Sequence, residues 1–338
     1  MHMADALLSP TVALLMYGTS IGAVGYAINK IKRDELTEKN LPIMAVTGAL
    51  VFAAQMINFT IPGTGSSGHI VGGILLAALL GGCPALLTIA AVLTIQCLFF
   101  ADGGLLALGC NIFNMGVIPC LLVYPLIFRP LRKANKHLAV ATILSTVIGL
   151  QIGAFSVVLE TLFSGISELP FTTFLLLMQP IHLAIGLVEG IVTVAILNFV
   201  YQMRPEILVS AQKKTAIAAG IPLRNIMVIL VLITAVIGGG LSLLASEKPD
   251  GLEWAIERAT GSPELEAQGK AFSTAAALQK MTAVLPDYTY GSVDNKSVFN
   301  GTMVSGIVGS FLTFLFVGIA GIVVTKIKKE KRLAKHER

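Results

Sequence analysis

The first two residues, Met1 and His2, form a chelating unit when the α-amine is free. The amine, the His2 amide nitrogen and His2 Nδ1 can close adjoining five- and six-membered rings on one metal ion, with all three nitrogens in one plane. Square-planar nitrogen sites suit Ni(II) or Cu(II), whereas Zn(II) prefers tetrahedral ligands and Mg(II) and Ca(II) prefer oxygen. Any chain that begins Met-His has these atoms, so a frayed terminus is the alternative interpretation.

A second histidine, His69, ends the glycine-rich stretch Gly63-Thr-Gly-Ser-Ser-Gly-His69 and could supply a fourth nitrogen. A loop histidine without a ligand role is the alternative. The glycines match G-x-G-x-x-G, but they follow an apolar helix instead of a strand, so we reject a dinucleotide-binding fold. We expect them to let the loop turn tightly and dip toward the helices, which brings His69 close to another backbone.

Polar side chains gather in the halves of the predicted helices that lie near His69. Because such side chains are costly in hydrocarbon, they usually face a bundle interior or a cavity. We expect them to line a pocket and to orient the ligand histidines, with helix-to-helix hydrogen bonding as the alternative for each Asn or Gln. The candidates are Asp5, Asn58, Gln96, Asp102, Asn111, Asn114 and His182, with Glu160, Gln179 and Glu189 nearby.

The elements that must position these residues are apolar helices. The 338 residues are 55% hydrophobic and 13% charged, with a mean hydropathy of +0.81. A membrane span needs roughly 20 consecutive apolar residues in a helix, because every backbone N–H must find its partner within the segment. We predict an all-α integral membrane protein with nine transmembrane helices, of which the third is short and breaks at Gly81-Gly82 and Pro84. The predicted spans are 10–28, 41–59, 69–80, 84–100, 105–128, 137–163, 171–201, 226–244 and 304–324.

Lysine and arginine indicate the orientation, since they are retained in short loops on the cytoplasmic side. They cluster in residues 30–39, 129–136, 204–224 and 326–338, while the short loops 60–68 and 101–104 have none. With nine spans, this pattern predicts an N-terminus outside the cell and a C-terminus in the cytoplasm. The net charge of +5 comes without a basic stripe and with only 7% aromatic residues, which excludes a nucleic-acid-binding protein.

The distribution of apolar runs predicts two modules. Residues 1–222 form a seven-helix part, and residues 223–338 form a two-helix hairpin that carries the polar segment 245–300 on the outside. We call residues 245–300 the connecting segment; it holds Trp254 and is expected to be partly helical over 251–279. The N-terminus has no basic region typical of a signal peptide, so we expect Met1 and His2 to be retained.

The sequence gives little support for disulfide bonds or for an enzymatic activity. The four cysteines, Cys83, Cys97, Cys110 and Cys120, lie inside predicted helices without a CxxC pair, which favours core residues over disulfides. The chain has no HExxH and no GxxxxGK[ST], so it cannot hydrolyse ATP by itself.

Several motifs together resemble the CbiM/NikM family, the substrate-binding components of cobalt and nickel energy-coupling factor transporters. The resemblance covers residues 1 to about 220, and Pro249-Asp-Gly-Leu-Glu253-Trp254 resembles the fused NikN-like small subunit called the PDGLE part. The motifs are Met1-His2 with Asp5 and Leu8-Ser9-Pro10, Gly68-His69 with Gly72-Gly73, Gln96, Phe100-Ala-Asp102-Gly-Gly104, and Asn111-Ile-Phe-Asn114-Met.

The resemblance implies that the metal is held by the Met1 amine, the His2 amide and imidazole nitrogens, and the His69 imidazole. It implies Ni²⁺ or Co²⁺ as transported substrate with no permanent cofactor, and a bacterial or archaeal cell membrane as the location. The implied partners are membrane lipid, a transmembrane coupling (T) protein and two ATP-binding-cassette ATPases. Four coplanar nitrogens and the PDGLE hairpin favour nickel. A capture protein for a vitamin-like solute and an intramembrane metalloenzyme using Glu160 or Glu189 are the alternatives.

Overall fold

A computed structural model describes most of the chain, namely residues 1–33, 40–132, 137–167, 169–213, 215, 222–263, 265, 267–289 and 301–336. Part of the predicted cytoplasmic charge pattern, including Lys39, Lys133, Lys136 and Lys214, lies outside the described residues. The end of the connecting segment, 290–300, does so as well. In the described residues the regular secondary structure is helical, apart from the two-residue strands β1 (Phe59–Thr60) and β2 (Ser67–Gly68), which pair antiparallel.

The helices follow one another through short connections. Three short 3₁₀ turns, Asp5–Leu7, Leu241–Leu244 and Pro286–Tyr288, flank them. The helices are α1 (Pro10–Arg33), α2 (Asn40–Gln55), α3 (Gly73–Leu80), α4 (Gly82–Phe100), α5 (Leu108–Ile112), which continues through a π-helical stretch (Phe113–Phe128) into α6 (Arg129–Leu131), α7 (Leu138–Ser164), α8 (Phe171–Met203), α9 (Pro205–Lys213), α10 (Arg224–Gly239), α11 (Gly251–Thr260), α12 (Lys270–Thr282) and α13 (Gly301–His336).

Within the described residues, seven helices are long and apolar enough to cross a membrane: α1, α4, the continuous helix Leu108–Leu131, α7, α8, α10 with the turn after it, and α13. The all-α membrane fold is therefore confirmed. The expected second and third spans are shorter, because α2 has 16 residues and α3 has 8. Helix α2 ends and α3 begins at the partly buried loop that carries His69.

The break between α3 and α4 falls at Gly81, as the sequence predicts. Gly81 has a φ of 84°, a backbone conformation that residues with a side chain rarely adopt. The adjacent Gly82 packs directly on the carbonyl of Cys120, where a Cβ would collide. The chain can therefore turn from α3 into α4 while staying against the π-helical stretch, which contains Pro119 and Pro125.

The last two long helices pack on the first part of the chain. Helices α10 and α13 cross at Gly238 and Gly306, each of which has the other's backbone where its Cβ would lie. On α13, Gly309 lies under the Phe52 ring of α2. The connecting segment thus starts and ends on helices that share a core with α2, which holds it over the end of the bundle that carries the N-terminus.

Candidate metal centre

The N-terminal tail, residues 1–9, is threaded into the bundle. Met1 and Met3 have only 4% and 0% of their surface exposed. Met3 N donates to Asn111 Oδ1 at 2.8 Å, and Met3 O accepts from Asn111 Nδ2 at 3.3 Å and from Gly104 N at 2.9 Å. These three hydrogen bonds fix the backbone at Met3 and so fix Met1 and His2.

Asp5 anchors the tail a second time. Its Oδ1 accepts from Ala107 N at 3.0 Å, and a side chain at Gly104 would collide with this carboxylate. Glycine at position 104 therefore allows the tail to lie flat on the loop between α4 and α5. Burial raises the pKa of Asp5, opposed by hydrogen bonds from the backbone of that loop.

The His69 loop, residues 56–72, dips into the same end of the bundle, as the glycine pattern predicts. His69 has 7% of its surface exposed. Beyond it, Val71 O accepts from Gln55 Nε2 at 2.8 Å, while Val71 N and Gly72 N both donate to the Glu189 carboxylate at 2.9 Å. Glu189 thus caps the start of α3 and holds the loop that carries His69.

Tail and loop meet at their polar groups. Met1 N lies 3.3 Å from His69 Nε2, and the His2 and His69 rings stack with centroids 5.1 Å apart. Two nitrogens bound to one metal at right angles, each at about 2.0–2.1 Å, lie about 2.8–3.0 Å apart. The observed separation therefore needs only a small change for both nitrogens to bind one ion.

The two imidazoles are poor bases in this site. Burial lowers the pKa of both His2 and His69 to about 3, and the nearby N-terminal ammonium adds to the shift. Both rings are therefore neutral near pH 7, which leaves a ring nitrogen of each with a free lone pair for a metal.

Two carboxylates face this nitrogen cluster. Asp250 Oδ2 is 2.6 Å from Met1 N and 3.9 Å from His69 Nε2. Asp102 Oδ1 is 3.3 Å from His2 Nδ1, and its Oδ2 accepts from the Tyr288 hydroxyl. Burial raises the pKa of Asp102. Burial would do the same to Asp250, but the N-terminal ammonium holds the pKa of that carboxyl well below its usual range.

Asp250 is positioned by the start of α11. Its Oδ1 accepts from Leu252 N and Glu253 N, while Glu253 Oε2 accepts from Asp250 N, which is a complete capping box. The turn before it is attached to the His69 loop through Ser67, whose N donates to Pro249 O at 2.8 Å and whose Oγ donates to the Lys248 carbonyl. The connecting segment therefore lies over the nitrogen cluster.

Gln96 and Asn114 lie next to the N-terminal tail. The Gln96 side chain lies beside the His2 ring, and the backbone carbonyl of Gln96 accepts from Asp102 N at 3.1 Å. Asn114 Nδ2 donates to Glu160 Oε2 at 2.9 Å, below Met3. These two contacts support the tail and its acidic neighbour from beneath.

Of the last two candidates, His182 lines a small cavity together with Met1, His69 and Asp250, whereas Asn58 does not. His182 Nδ1 contacts Met178 O at 2.8 Å, and within the described part of the chain its buried Nε2 has no hydrogen-bond partner. Asn58 lies in the His69 loop, where its backbone carbonyl accepts from Ser246 N at 2.7 Å. Asn58 thus helps to attach the connecting segment and does not lie among the nitrogens.

No group of three His, Cys, Asp or Glu side chains in the described ranges is arranged to hold a metal ion. A metal in this cluster would therefore use backbone nitrogens beside the two imidazoles. The four cysteines form no disulfide, and Cys97, Cys110 and Cys120 are buried, as expected for core residues.

Sequence reasoning missed Asp250 and Tyr288 as parts of this site. Asp-x-x-Glu at 250–253 is a capping-box pattern that predicts where α11 begins, but not what lies next to it. Tyr288 lies in a polar stretch without periodicity. Both reach the site through the packing of α10 and α13, which local sequence does not encode.

The fold and the site together define the class of protein: a multi-pass helical membrane protein whose buried N-terminus lies beside a loop histidine at one end of the bundle. The model of the CbiM family, described as a cobalt uptake substrate-specific transmembrane region, matches residues 2–207, and the PDGLE domain model matches residues 224–326. The chain belongs to the CbiM family and carries a PDGLE domain after it.

Individual relatives agree. A protein of Archaeoglobus fulgidus that carries the provisional name fused nickel transport protein NikMN is 31% identical over 95% of this chain and 97% of its own length. The fused nickel transport protein NikMN of Rhodobacter capsulatus is 27% identical over the same shares. A crystal structure described as a truncated transition metal transporter has a TM-score of 0.54 at 26% identity, covering 60% of this chain and 99% of that one. The chain is thus a membrane component of nickel or cobalt transport and not an enzyme.

Proposed function

We propose that the chain is the substrate-capture component of an ATP-driven nickel (or cobalt) uptake transporter of the energy-coupling factor type. The metal would be held by four nitrogens: the Met1 amine, the His2 amide nitrogen, His2 Nδ1 and His69 Nε2. The observation that carries this proposal is the 3.3 Å approach of Met1 N to His69 Nε2, two groups 68 residues apart in the sequence. Burial of both groups keeps water away from them.

Metal binding would exchange two contacts of the free protein. The ammonium of Met1 must lose a proton to offer its lone pair, which ends its role as donor to Asp250. His2 Nδ1 must likewise leave Asp102 for the metal. The amide nitrogen also loses a proton when it binds, so two protons leave for each metal and the affinity depends on pH. The two carboxylates then balance the charge of the cation.

Nickel is the preferred substrate of this proposal. Four nitrogens in one plane suit Ni(II), whose preference for tetragonal nitrogen sites separates it from tetrahedral Zn(II). Two relatives that match almost the whole chain are named nickel transport proteins, whereas a cobalt transport protein CbiM of Geobacter sulfurreducens matches 62% of it at 28% identity.

The division into modules follows the same proposal. Residues 1–222 would capture the metal, and residues 223–338 would form the PDGLE hairpin with the connecting segment outside the cell. The basic residues Lys30 and Arg129 lie together at the bundle end away from the nitrogens, which supports a cytoplasmic position for that end. Because the sequence has no phosphate-binding loop, energy would come from a coupling protein and two ATPases.

The experiment is metal binding by purified full-length chain whose N-terminus is verified by mass spectrometry. We expect one Ni²⁺ per chain, release of protons on binding, and an absorption spectrum of square-planar Ni(II). Competition should rank Ni²⁺ above Co²⁺ and both above Zn²⁺. Preference for Zn²⁺, or metal binding without proton release, would contradict the four-nitrogen site. Binding of an organic solute in place of any metal would favour the vitamin-type alternative.

A further inference from the structure

Asp250 lies in the PDGLE domain, yet its carboxylate touches the N-terminal amine of the first module. The distance from Asp250 Oδ2 to Met1 N is 2.6 Å across 249 residues of sequence. The side chains of Met1 and Asp250 are 3% and 15% exposed. A carboxylate in this position has a direct physical effect on where the amine lies.

We propose that Asp250 is a positioning residue of the metal site, which holds the Met1 amine beside His69 before the metal arrives and faces the bound cation afterwards without becoming a ligand. This inference rests on the proposed function, since it concerns the same nitrogens. It assigns a role to the PDGLE domain, which is to hold the Met1 amine next to His69 Nε2, the fourth nitrogen of the site.

The two carboxylate oxygens of Asp250 make different contacts. Oδ1 accepts from Leu252 N and Glu253 N at the start of α11, while Oδ2 contacts the amine. A capped helix start is a rigid support, because the cap satisfies backbone donors that would otherwise stay unpaired. The position of the amine is therefore fixed relative to α11, because the side chain that contacts it cannot rotate freely.

The same support also holds the other ligand. Ser67, two residues before His69, donates to Pro249 O and to the Lys248 carbonyl, which directly precede Asp250. Trp254 Nε1 on α11 donates to Thr64 O at 3.0 Å in the same loop. One short stretch, 248–254, thus fixes the amine on one side and the His69 loop on the other, and so sets the distance between them.

An ordinary ion pair without a role in the site is the competing explanation. An exposed pair could be lost with little effect because solvent screens it. This pair is largely buried, and removing one partner leaves the other charge without compensation. Loss of the Asp250 carboxylate should therefore displace the amine or disfavour its buried position.

The test compares Asp250→Asn with Glu253→Ala in the full chain. Asparagine keeps an oxygen for the cap of α11 but removes the charge that faces the amine. Glu253→Ala weakens the same capping box without touching the amine. We expect the Ni²⁺ affinity of Asp250→Asn to fall by about 10–100-fold, the range seen when partners of metal ligands are removed. Glu253→Ala keeps the Asp250 carboxylate and its contact with the amine, so its loss of affinity should be much smaller.

A second readout separates positioning from ligation. At saturating Ni²⁺ the absorption spectrum of Asp250→Asn should equal that of the wild type, because all four nitrogens remain. Asp250→Ser, which also keeps a good helix cap, should give the same result and guards against misfolding of a single variant. A shifted spectrum would make Asp250 a ligand and overturn the proposal, as would equal losses in Asp250→Asn and Glu253→Ala.

The remaining outcomes distinguish this inference from the function on which it rests. If the wild type binds Ni²⁺ only with a free amine, and Asp250→Asn and Asp250→Ser bind as tightly, then the positioning role is wrong and the capture function stands. If the wild type binds equally well with Met1 acetylated, the four-nitrogen site itself is wrong.

Discussion

The N-terminal tail and the connecting segment both reach the nitrogen cluster, but they are held in different ways. The tail is buried, and Met3 is bonded on both sides to Asn111 and Gly104. The connecting segment is held unevenly: one face of α11 is buried, whereas on α12 only Ala275 is buried. Segments with few buried contacts open at lower free energy than packed ones. We infer that the ligands and α11 keep their places while α12 can move.

The contacts of α12 show the difference in detail. Gln279 Nε2 donates to Gly103 O at 2.7 Å and to Cys97 O at 3.0 Å, which attaches the helix beside the tail. Further along, Met281 and Val284 are 83% and 73% exposed. Few polar bonds and exposed apolar side chains are typical of a surface that moves or meets a neighbour. The variants below separate what each region contributes.

The largest effect should come from blocking the tail itself. Acetylation of Met1, or extension by one residue, removes the free amine and with it one of the three metal–nitrogen bonds and the five-membered chelate ring that the tail can make. We expect Ni²⁺ binding to be abolished while the circular dichroism spectrum shows that the fold is kept. Unaltered affinity of the acetylated protein would exclude the proposed ligand set.

A smaller but still large effect is expected from the His69 loop. His69→Ala leaves the chelate of Met1 and His2 with only water in the fourth position. The loss should exceed the roughly 10–100-fold typical of residues that merely orient ligands, as measured by competition with a chelator. His137, exposed before α7 at another part of the chain, gives the matched control His137→Ala, which should bind as the wild type does. A loss below tenfold for His69→Ala speaks against ligation.

Changes at the contact between the N-terminal tail and the connecting segment should weaken Ni²⁺ binding less. Asp102→Asn removes the charge beside His2 Nδ1, and Tyr288→Phe removes the hydroxyl that the connecting segment donates to Asp102. We expect about tenfold weaker Ni²⁺ binding for Asp102→Asn and a smaller loss for Tyr288→Phe, with the two losses not additive because they act through one carboxylate. Unchanged affinity in Asp102→Asn would leave this residue a structural role only, and additive losses would show that Tyr288 acts separately.

Much of the fold could be predicted from the sequence because membrane helices are encoded locally. Runs of apolar residues predicted the long helices, and Gly81-Gly82 predicted the break before α4. The lengths of α2 and α3 could not be predicted as well, because α2 ends where the chain enters the His69 loop and α3 begins where the chain leaves it. That loop is stabilised by Gln55 and Glu189, whose partners lie 16 to 118 residues away in the sequence.

The ligand candidates could be named from chemistry, since an N-terminal Met-His unit brings its chelating atoms with it. The structure brings Met1 and His69 together, and their binding of metal stays a prediction. Asp250 could not be found in this way. Its local signal indicates only a helix cap, and its place beside Met1 depends on how α10 and α13 dock on α2. Packing between distant helices is set by many weak contacts that no short motif contains.

The smallest effect on binding should come from a face that neither region touches. A Cβ at Gly18, Gly22 or Gly25 of α1 would meet no atom of the described residues within 4 Å, so these glycines are not used for packing inside this part of the bundle. Small residues spaced by four let another membrane helix approach closely, which fits a docking surface for the coupling protein. Gly22→Leu should therefore leave Ni²⁺ binding by the isolated chain unchanged and reduce uptake in cells that express the whole transporter. Val140→Leu, which adds bulk at an exposed position of α7, is the matched control and should change neither. Normal uptake with Gly22→Leu would show that this face does not mediate coupling, and weakened metal binding would show that α1 supports the site after all.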